Sequence, residues 1–304
     1  MRDALPALVE VLRARLGDRV RPGETLARHT SFRIGGPADV LVLPDSVAEL
    51  GHVLACASAA GVPVGILGGG SNVLVGDHGV RGVVVKLGRG FRRIEWNETH
   101  VRAGAAVQMG RLARAAVTRG LSGLEYAEGI PGTVGGALFM NAGAYGGEIA
   151  QSVDGVEGLD GDTGEVVALA GDALGFRYRR AELPPRFVVT AVRFRLATDD
   201  GHAGARLDAV RVQRTASQPS GAANAGSIFK NPPGDHAGRL IDAAGLKGAR
   251  AGRARISERH GNFIVNEGGA RAEDVKALMD LAQRVVWERS GVWLEPEVRL
   301  VGSW

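Results

Sequence analysis

A chain of 304 residues with 45% apolar and 23% charged residues has the composition of an ordinary globular protein, long enough for about two domains. Its net charge of +4, from 37 basic and 33 acidic residues, is too small a surplus to point to nucleic acid, and no stretch interleaves basic with aromatic residues as a single-strand platform would. The single cysteine, Cys56, rules out an internal disulfide and limits any metal site to one thiolate, so no metal is expected and a reducing compartment is.

Glycine is the outlier: 46 residues, roughly double the usual share, with no Gly-X-Y period. The excess therefore belongs to turns and to loops where backbone approaches something closely. At the N-terminus, Arg2, Asp3, Glu10, Arg13 and Arg15 interrupt any signal-peptide core. The longest uncharged run, residues 53–76, could span a bilayer by length, but its six glycines and Pro63 break it into helix end, turn, strand and loop. No membrane segment is expected, and the cytoplasm is the expected location.

In chain order, residues 4–16 set Leu5, Leu8, Val9, Leu12 and Leu16 on one helical face, a packed N-terminal helix without chemistry of its own. Gly35-Gly36-Pro37 is a turn, and Ala38 to Leu43 is an apolar strand. Asp45 or Ser46 caps a helix over 47–60 that stops at Gly61. Val62 to Leu67 is a short buried strand leading into Gly68-Gly69-Gly70-Ser71-Asn72. That loop is no dinucleotide fingerprint, which needs G-x-G-x-x-G opening a helix, and no P-loop, since no Gly-Lys-Ser/Thr follows. Successive backbone N–H groups with a serine and an asparagine can still form an anion nest, and a glycine-rich hairpin is the equal alternative.

Further strands follow at 73–75 and 83–85, alternating strands over 91–104, and a helix over 107–119 ended by Gly120. The stretch GIPGTVGGALFMNAGAYGG (129–147) has nineteen residues, seven of them glycine and none charged. Glycine weakens helix and strand interiors, so this composition fits backbone approaching other backbone or a ligand where a Cβ would obstruct. Residues 153–196 read as strand and turn, with FRYRR (176–180) as a basic, aromatic knot that is either a solvated edge or a carboxylate site. The polar segment 198–206, TDDGHAGAR, reads as a flexible domain boundary. Helices follow at 207–218, 237–244 and 272–290, the last stopped by Gly291, and with strands at 263–265 and 292–301 it suggests a βαβ or split α/β unit.

Seven motifs occur in one order: HTSFRIGGPA (29–38), LGGGSNVLV (67–75), GIPGTVGGA with MNAGAYGG (129–147), YR (178–179), AGSIFKNP (225–232), HGNFIVN (260–266) and LEPEVRLVG (294–302). Each alone is moderately specific, and the ordered set is very specific. The chain resembles, over about residues 22–302, the UDP-N-acetylenolpyruvoylglucosamine reductases, flavoenzymes that complete UDP-N-acetylmuramic acid for peptidoglycan synthesis. The resemblance implies an α+β fold, with a two-part FAD-binding domain of the vanillyl-alcohol-oxidase type and a C-terminal α/β substrate domain. The expected division is an N-terminal helix (1–21), FAD subdomains at 22–87 and 88–198, and a substrate domain at 199–304.

It also implies FAD and NADPH as cofactors and a UDP-sugar enol ether as substrate, in a monomer with no nucleic-acid or membrane partner. NADPH would reduce the flavin, and the flavin would pass hydride to the vinyl methylene carbon while a side-chain acid protonates its neighbour. Carried over by motif, Ser227 is the general acid, and Arg179 and Glu297 flank the substrate carboxylate. Arg179 would stabilise the enolate-like charge of the transition state. Glu297 beside an anion is either protonated or positions the acid by hydrogen bonding, with Glu295 as its competitor. Lys230 and Asn231 would contact substrate.

Gly68, Gly69, Gly70, Ser71 and Asn72 would cradle the FAD pyrophosphate. Gly129, Pro131, Gly132, Thr133, Gly135, Gly136, Asn141, Gly143, Ala144 and Tyr145 would run along the flavin ring and ribityl chain, so a bulky residue at Gly135 or Gly136 should cost flavin binding before folding. His260 and Asn262 could support the residues that touch ligand, although a lone histidine is more often simply a core residue. Without the resemblance, Ser227 would read as a helix cap or turn hydroxyl.

Two departures stand out. The family often has Y-R-x-S, and here the fourth position is Ala181. The inserted loop with a covering tyrosine is missing, which fits the shorter subclass. A flavin oxidase on the same scaffold should show a histidine or cysteine tether in its glycine-rich loops. These have neither, although His78 lies close by. A non-catalytic flavin or nucleotide-sugar module would not need Arg179, Ser227 and Glu297 from three separate segments.

Overall fold

The protein is described here from a computed structural model covering residues 4–219 and 221–304. The chain forms two compact units. One comprises the segment ending at Pro22 with Val40–Gly69 and Gly82–Gln213, the other Gly23–Asp39, Gly70–Arg81 and Arg214–Trp304. Two segments expected in the first flavin subdomain are thus counted with the C-terminal third.

The first unit holds two apolar cores. In one, the helices Ala4–Leu16 and Val47–Ala59 pack Leu8, Leu12, Leu50, Val53 and Ala57 against Val40, Val42, Val83 and Val85 of a small sheet. Its strand order is Val20–Pro22, Ala38–Val42, Val80–Val85, Val64–Ile66, with the first pair antiparallel and the last parallel. Of the two cap candidates, Ser46 accepts the Glu49 N–H at 3.2 Å, while Asp45 accepts the Arg89 N–H at 2.6 Å.

The other core backs a five-stranded antiparallel sheet in the order Val166–Ala170, Val153–Leu159, Val188–Arg195, His100–Gly104, Ile94–Asn97. The helices Met109–Val117 and Val134–Phe139 cover it with Met109, Leu112, Val134 and Leu138. The glycine-rich stretch 129–147 is therefore partly helical.

The start of the helix expected at 207 is corrected within the segment 198–206. A helix, Ala203–Ser217, begins inside it, because the Asp199 carboxylate accepts the N–H groups of Gly201, His202 and Ala203 at 2.9–3.2 Å. Arg206 then binds buried Glu125 at 2.8 and 3.0 Å, and Leu207 joins the sheet core. A polar composition that resembles a linker is here a helix cap.

The second unit is built on the helix Ala272–Ser290, whose Val275, Leu278, Met279 and Ala282 pack with Ile228, Phe229, Leu240, Ile241 and Leu74. Gly291, at φ +68°, ends the helix as read from the sequence. Its N-terminus is held by a residue far away in sequence: Asp77 accepts the N–H groups of Ala272 and Glu273 at 2.9 and 3.2 Å.

The expected βαβ unit is corrected as well. Ile264–Asn266 lies in a three-stranded antiparallel sheet with Ala254–Ile256 and Arg250–Ala251, whereas Arg299–Val301 pairs in parallel with Val73–Val75. Residues 292–298 carry only an isolated bridge, Phe229 to Pro296, closed by Lys230 N–H to the Glu295 carbonyl and Glu297 N–H to the Ile228 carbonyl, both at 2.8 Å. Among the described residues no helix is long and apolar enough to cross a membrane.

Candidate active site

In the first unit the two glycine-rich loops lie backbone against backbone. A Cβ added at Gly68 would stand 2.9 Å from Thr133 Oγ1, and one at Gly69 would stand 2.7 Å from Gly132 Cα. The second loop is pinned from behind, since Met109 N–H donates to the Gly132 carbonyl at 3.0 Å and Val134 N–H to the Val107 carbonyl at 2.8 Å. Gly132 itself sits at φ +113°, where a side chain would be strained.

Gly135 and Gly136 differ. A Cβ at Gly135 would be 3.0 Å from Ala105 Cβ, so that glycine serves packing, and a bulky residue there would strain the fold directly. At Gly136 the nearest atom is Thr133 Oγ1 at 3.6 Å, which leaves room on that side. Side chains at Gly68 and Gly69 would push the two loops apart, so those glycines serve loop-to-loop packing, and the uncharged backbone surface that the paired loops present fits FAD.

Beyond the short helix, Gly143–Ala144 pairs with Gly147–Glu148 across a two-residue turn, Tyr145 at φ +52° and Gly146 at φ +82°. The Tyr145 ring covers Gly129, where a Cβ would lie 2.8 Å from Cδ2, and Gly147 packs on the Tyr126 ring in the same manner. Asn141 is buried, at φ +40°, and its amide is spent on protein. Nδ2 donates to the Arg177 carbonyl at 3.0 Å, and Oδ1 accepts the Ala150 N–H at 3.2 Å.

The Arg177 carbonyl also accepts the Arg180 N–H at 3.0 Å, closing a turn with Tyr178 and Arg179 at its tip. Arg179 is held at φ +57°, an uncommon backbone for a non-glycine residue, with its guanidinium 4.8 Å from the centre of the Tyr178 ring. Its Nη1 lies 3.2 Å from the position a Cβ on Gly143 would take, so that glycine makes way for the arginine. Ala181, in place of the family serine, is buried and donates its N–H to the Phe139 carbonyl at 3.3 Å.

In the second unit Ser227 and Glu297 come together. Glu297 N–H donates at 2.8 Å to the carbonyl of Ile228, the residue after Ser227, and Lys230 N–H donates to the Glu295 carbonyl at 2.8 Å. Ser227 is half-buried and precedes no helix; the next one, Ala237–Ala243, follows His236. The two glutamates differ in surroundings. Glu295 is exposed and ion-paired with the Lys230 ammonium at 2.5 Å, whereas Glu297 is half-buried. Lys230 thus has an internal partner, and Asn231 Oδ1 accepts the Ala237 N–H at 3.1 Å.

Gly70, Ser71 and Asn72 belong to this unit. A Cβ at Gly70 would lie 2.8 Å from Thr30 Cα, so backbone crossing explains that glycine. The Asn72 amide donates to the Glu297 carbonyl at 3.1 Å, and its own carbonyl accepts Arg299 N–H at 3.0 Å.

Asn262 is a residue whose job the sequence leaves unassigned. It is 2% exposed, and its side chain takes the Phe229 N–H at 2.9 Å while donating to the Phe229 carbonyl at 2.7 Å. Its place beside His260 in HGNFIVN was the only signal. His260 Nδ1 accepts the Asn262 N–H at 3.2 Å, leaving the proton on Nε2, and its ring meets Phe263 edge-on at 4.9 Å. Burial, reinforced by Lys247, holds the imidazole of this half-buried histidine below its ordinary pKa, which favours its neutral form.

Known proteins resemble this chain over nearly its whole length. A family model described as UDP-N-acetylenolpyruvoylglucosamine reductase, C-terminal domain, matches residues 218–301, and one for an FAD binding domain matches residues 38–170. UDP-N-acetylenolpyruvoylglucosamine reductase 2 of Symbiobacterium thermophilum is 47% identical over 300 residues, covering 97% of each chain. The solved UDP-N-acetylenolpyruvylglucosamine reductase of Thermus caldophilus superposes with a TM-score of 0.81 at 40% identity, over 93% of this chain and 99% of that one. A substrate-bound p-cresol methylhydroxylase, 14% identical with a TM-score of 0.51 over 96% of this chain and 65% of its own, shares the fold alone. The α+β architecture with an FAD-binding domain of the vanillyl-alcohol-oxidase type is therefore established.

Proposed function

The chain belongs to the family of UDP-N-acetylenolpyruvoylglucosamine reductases, and we propose that it reduces the enolpyruvyl ether of UDP-N-acetylglucosamine to UDP-N-acetylmuramate, a cytoplasmic step in peptidoglycan precursor synthesis. The reaction adds a hydride to the vinyl methylene carbon and a proton to its neighbour. FAD, reduced by NADPH, supplies the hydride. The chain's own residues bind, orient and protonate.

The observation that carries the reading is the pairing of the Ser227 loop with the Glu297 segment through the 2.8 Å bond from Glu297 N–H to the Ile228 carbonyl. It puts a hydroxyl and a carboxyl on adjoining segments of one unit, each half-buried. Ser227 Oγ gives its proton to the substrate carbon. A hydroxyl is a weak acid, but a carbanion-like acceptor within hydrogen-bond reach makes the transfer feasible. Glu297 orients that hydroxyl or the substrate carboxylate, and its competitor Glu295 is disfavoured by its ion pair with Lys230. Arg179, held at φ +57°, presents a guanidinium to the substrate carboxylate and stabilises charge as it develops there. Lys230 and Asn231 contact the rest of the substrate after exchanging their internal partners.

For the cofactor, Gly68, Gly69, Gly132 and Thr133 hold FAD through backbone N–H groups and the threonine hydroxyl, while Gly136 leaves space for it. Gly70 and Ser71 contribute backbone to the phosphates. The uncharged wall of 129–147 limits water near the ring. The test is turnover. Purified protein loaded with FAD should oxidise NADPH one-for-one with formation of the lactyl ether product, and only when the enolpyruvyl substrate is present. A colourless chain that takes up no added FAD would contradict the reading.

A further inference from the structure

Resting on the proton-donor reading of Ser227, we infer that Asn262 is the positioning residue for that donor. The peptide between Ile228 and Phe229 is gripped from both sides. Ile228 N–H donates to the Asn262 backbone carbonyl at 2.9 Å, while the Ile228 carbonyl accepts Glu297 N–H at 2.8 Å and Val298 N–H at 3.3 Å. The Asn262 side chain then matches both polar groups of Phe229, accepting its N–H at 2.9 Å and donating to its carbonyl at 2.7 Å.

An amide used this way acts as one residue of a missing strand. It offers a donor and an acceptor together, where the loop around Ser227 has no ladder of its own. Asn262 is 2% exposed, so water cannot replace either bond. It is fixed in turn by His260 Nδ1, which accepts its N–H at 3.2 Å, and by the Phe263 N–H bond to the His260 carbonyl at 3.1 Å. Ile228 and Phe229, the two residues that follow Ser227, are therefore set by Asn262, through its backbone carbonyl and its buried side chain, and by the Glu297 segment. Losing the clamp displaces the hydroxyl, and a displacement of about 1 Å costs on the order of a hundredfold in rate.

The experiment is a double-mutant cycle read on each half-reaction of the FAD-loaded enzyme by stopped-flow absorbance. Asn262→Ser should slow flavin reoxidation by the enolpyruvyl substrate about tenfold to a hundredfold, and leave flavin reduction by NADPH within about twofold. Asn262→Gln, which keeps both an amide donor and an amide acceptor, should slow it less, and it stands in if the serine variant fails to hold FAD. In the Ser227→Ala background, either substitution should slow reoxidation by no more than about twofold further, since a positioning residue has nothing left to position. Equal slowing of both half-reactions by the Asn262 variants, or full multiplication of the two effects in the double variant, would overturn the inference while leaving Ser227 as the donor. Normal reoxidation in Ser227→Ala alone would instead remove the donor reading, and the inference with it.

Discussion

At the scale of single residues, the family resemblance nominates Ser227, Arg179 and Glu297, and the fold explains why neighbouring residues are what they are. Asn72 and Asn141 read from the sequence as flavin contacts and Asn262 only as a supporting residue, because the backbone each one bonds lies far away in sequence: Glu297, Arg177 and Phe229. The adjacent glycines 135 and 136 show the same limit, since both read as cofactor glycines and only the fold separates them. Gly135→Val should lower thermal stability by about 1–3 kcal/mol even without FAD, because its side chain meets Ala105. Gly136→Val should weaken FAD binding with little change in the unfolding temperature of the apoprotein. Thermal unfolding and FAD titration of both variants check the pair, and an identical response from the two would contradict the assignment. His260 gives a pH dependence. Its pKa is depressed in the fold, so the stability it lends is present above the unfolded value of 6.5 and is lost as pH falls through the folded one. His260→Gln should flatten the fall in unfolding temperature on acidification from pH 7 to about pH 5.

At the scale of elements, ends decide what is legible. The helix Ala272–Ser290 was readable to its last residue because an amphipathic 3.6-residue period meets Gly291. The helix Ala203–Ser217 was misjudged at its start, because Thr198 to Arg206 has a linker's composition and the capping role of Asp199 is visible only once its three N–H partners are in place. The strand expected over 292–301 is shorter in the fold, Arg299–Val301, because apolar spacing runs through residues 292–298, which carry only the isolated bridge at Pro296. Asp199→Ala should cost about 1 kcal/mol and open this segment to limited proteolysis. Native protein should resist cutting between 199 and 206, and cleavage there at the same rate in both proteins would contradict the capped helix.

At the scale of the whole molecule, fold class and family were legible from seven short motifs in order, whereas the sharing of the chain between units was not. Gly23–Asp39 and Gly70–Arg81 join the C-terminal third through bonds such as Gly76 N–H to the Val301 carbonyl at 2.9 Å and the Asn266 amide to the Phe32 carbonyl at 3.0 Å, and no local pattern announces them. Stability to acid is also set by distant partners. Arg19 grips Glu49 with two bonds of 2.6 and 2.7 Å and holds its carboxyl down at about 2, against burial, which pushes it up. The stability this carboxylate lends is present above about 4.5 and is lost as pH falls toward about 2, so Glu49→Gln should destabilise at neutral pH and converge with the parent near pH 2.

The central claim is that Ser227 delivers the proton in the second half of an FAD-mediated reduction. Stopped-flow absorbance at the flavin band tests it on Ser227→Ala loaded with FAD. The account predicts flavin reduction by NADPH at nearly the parent rate, and reoxidation by the enolpyruvyl substrate slower by on the order of a hundredfold or more. Equal slowing of both half-reactions would make Ser227 a structural residue, and an unchanged reoxidation rate would assign the proton to another group.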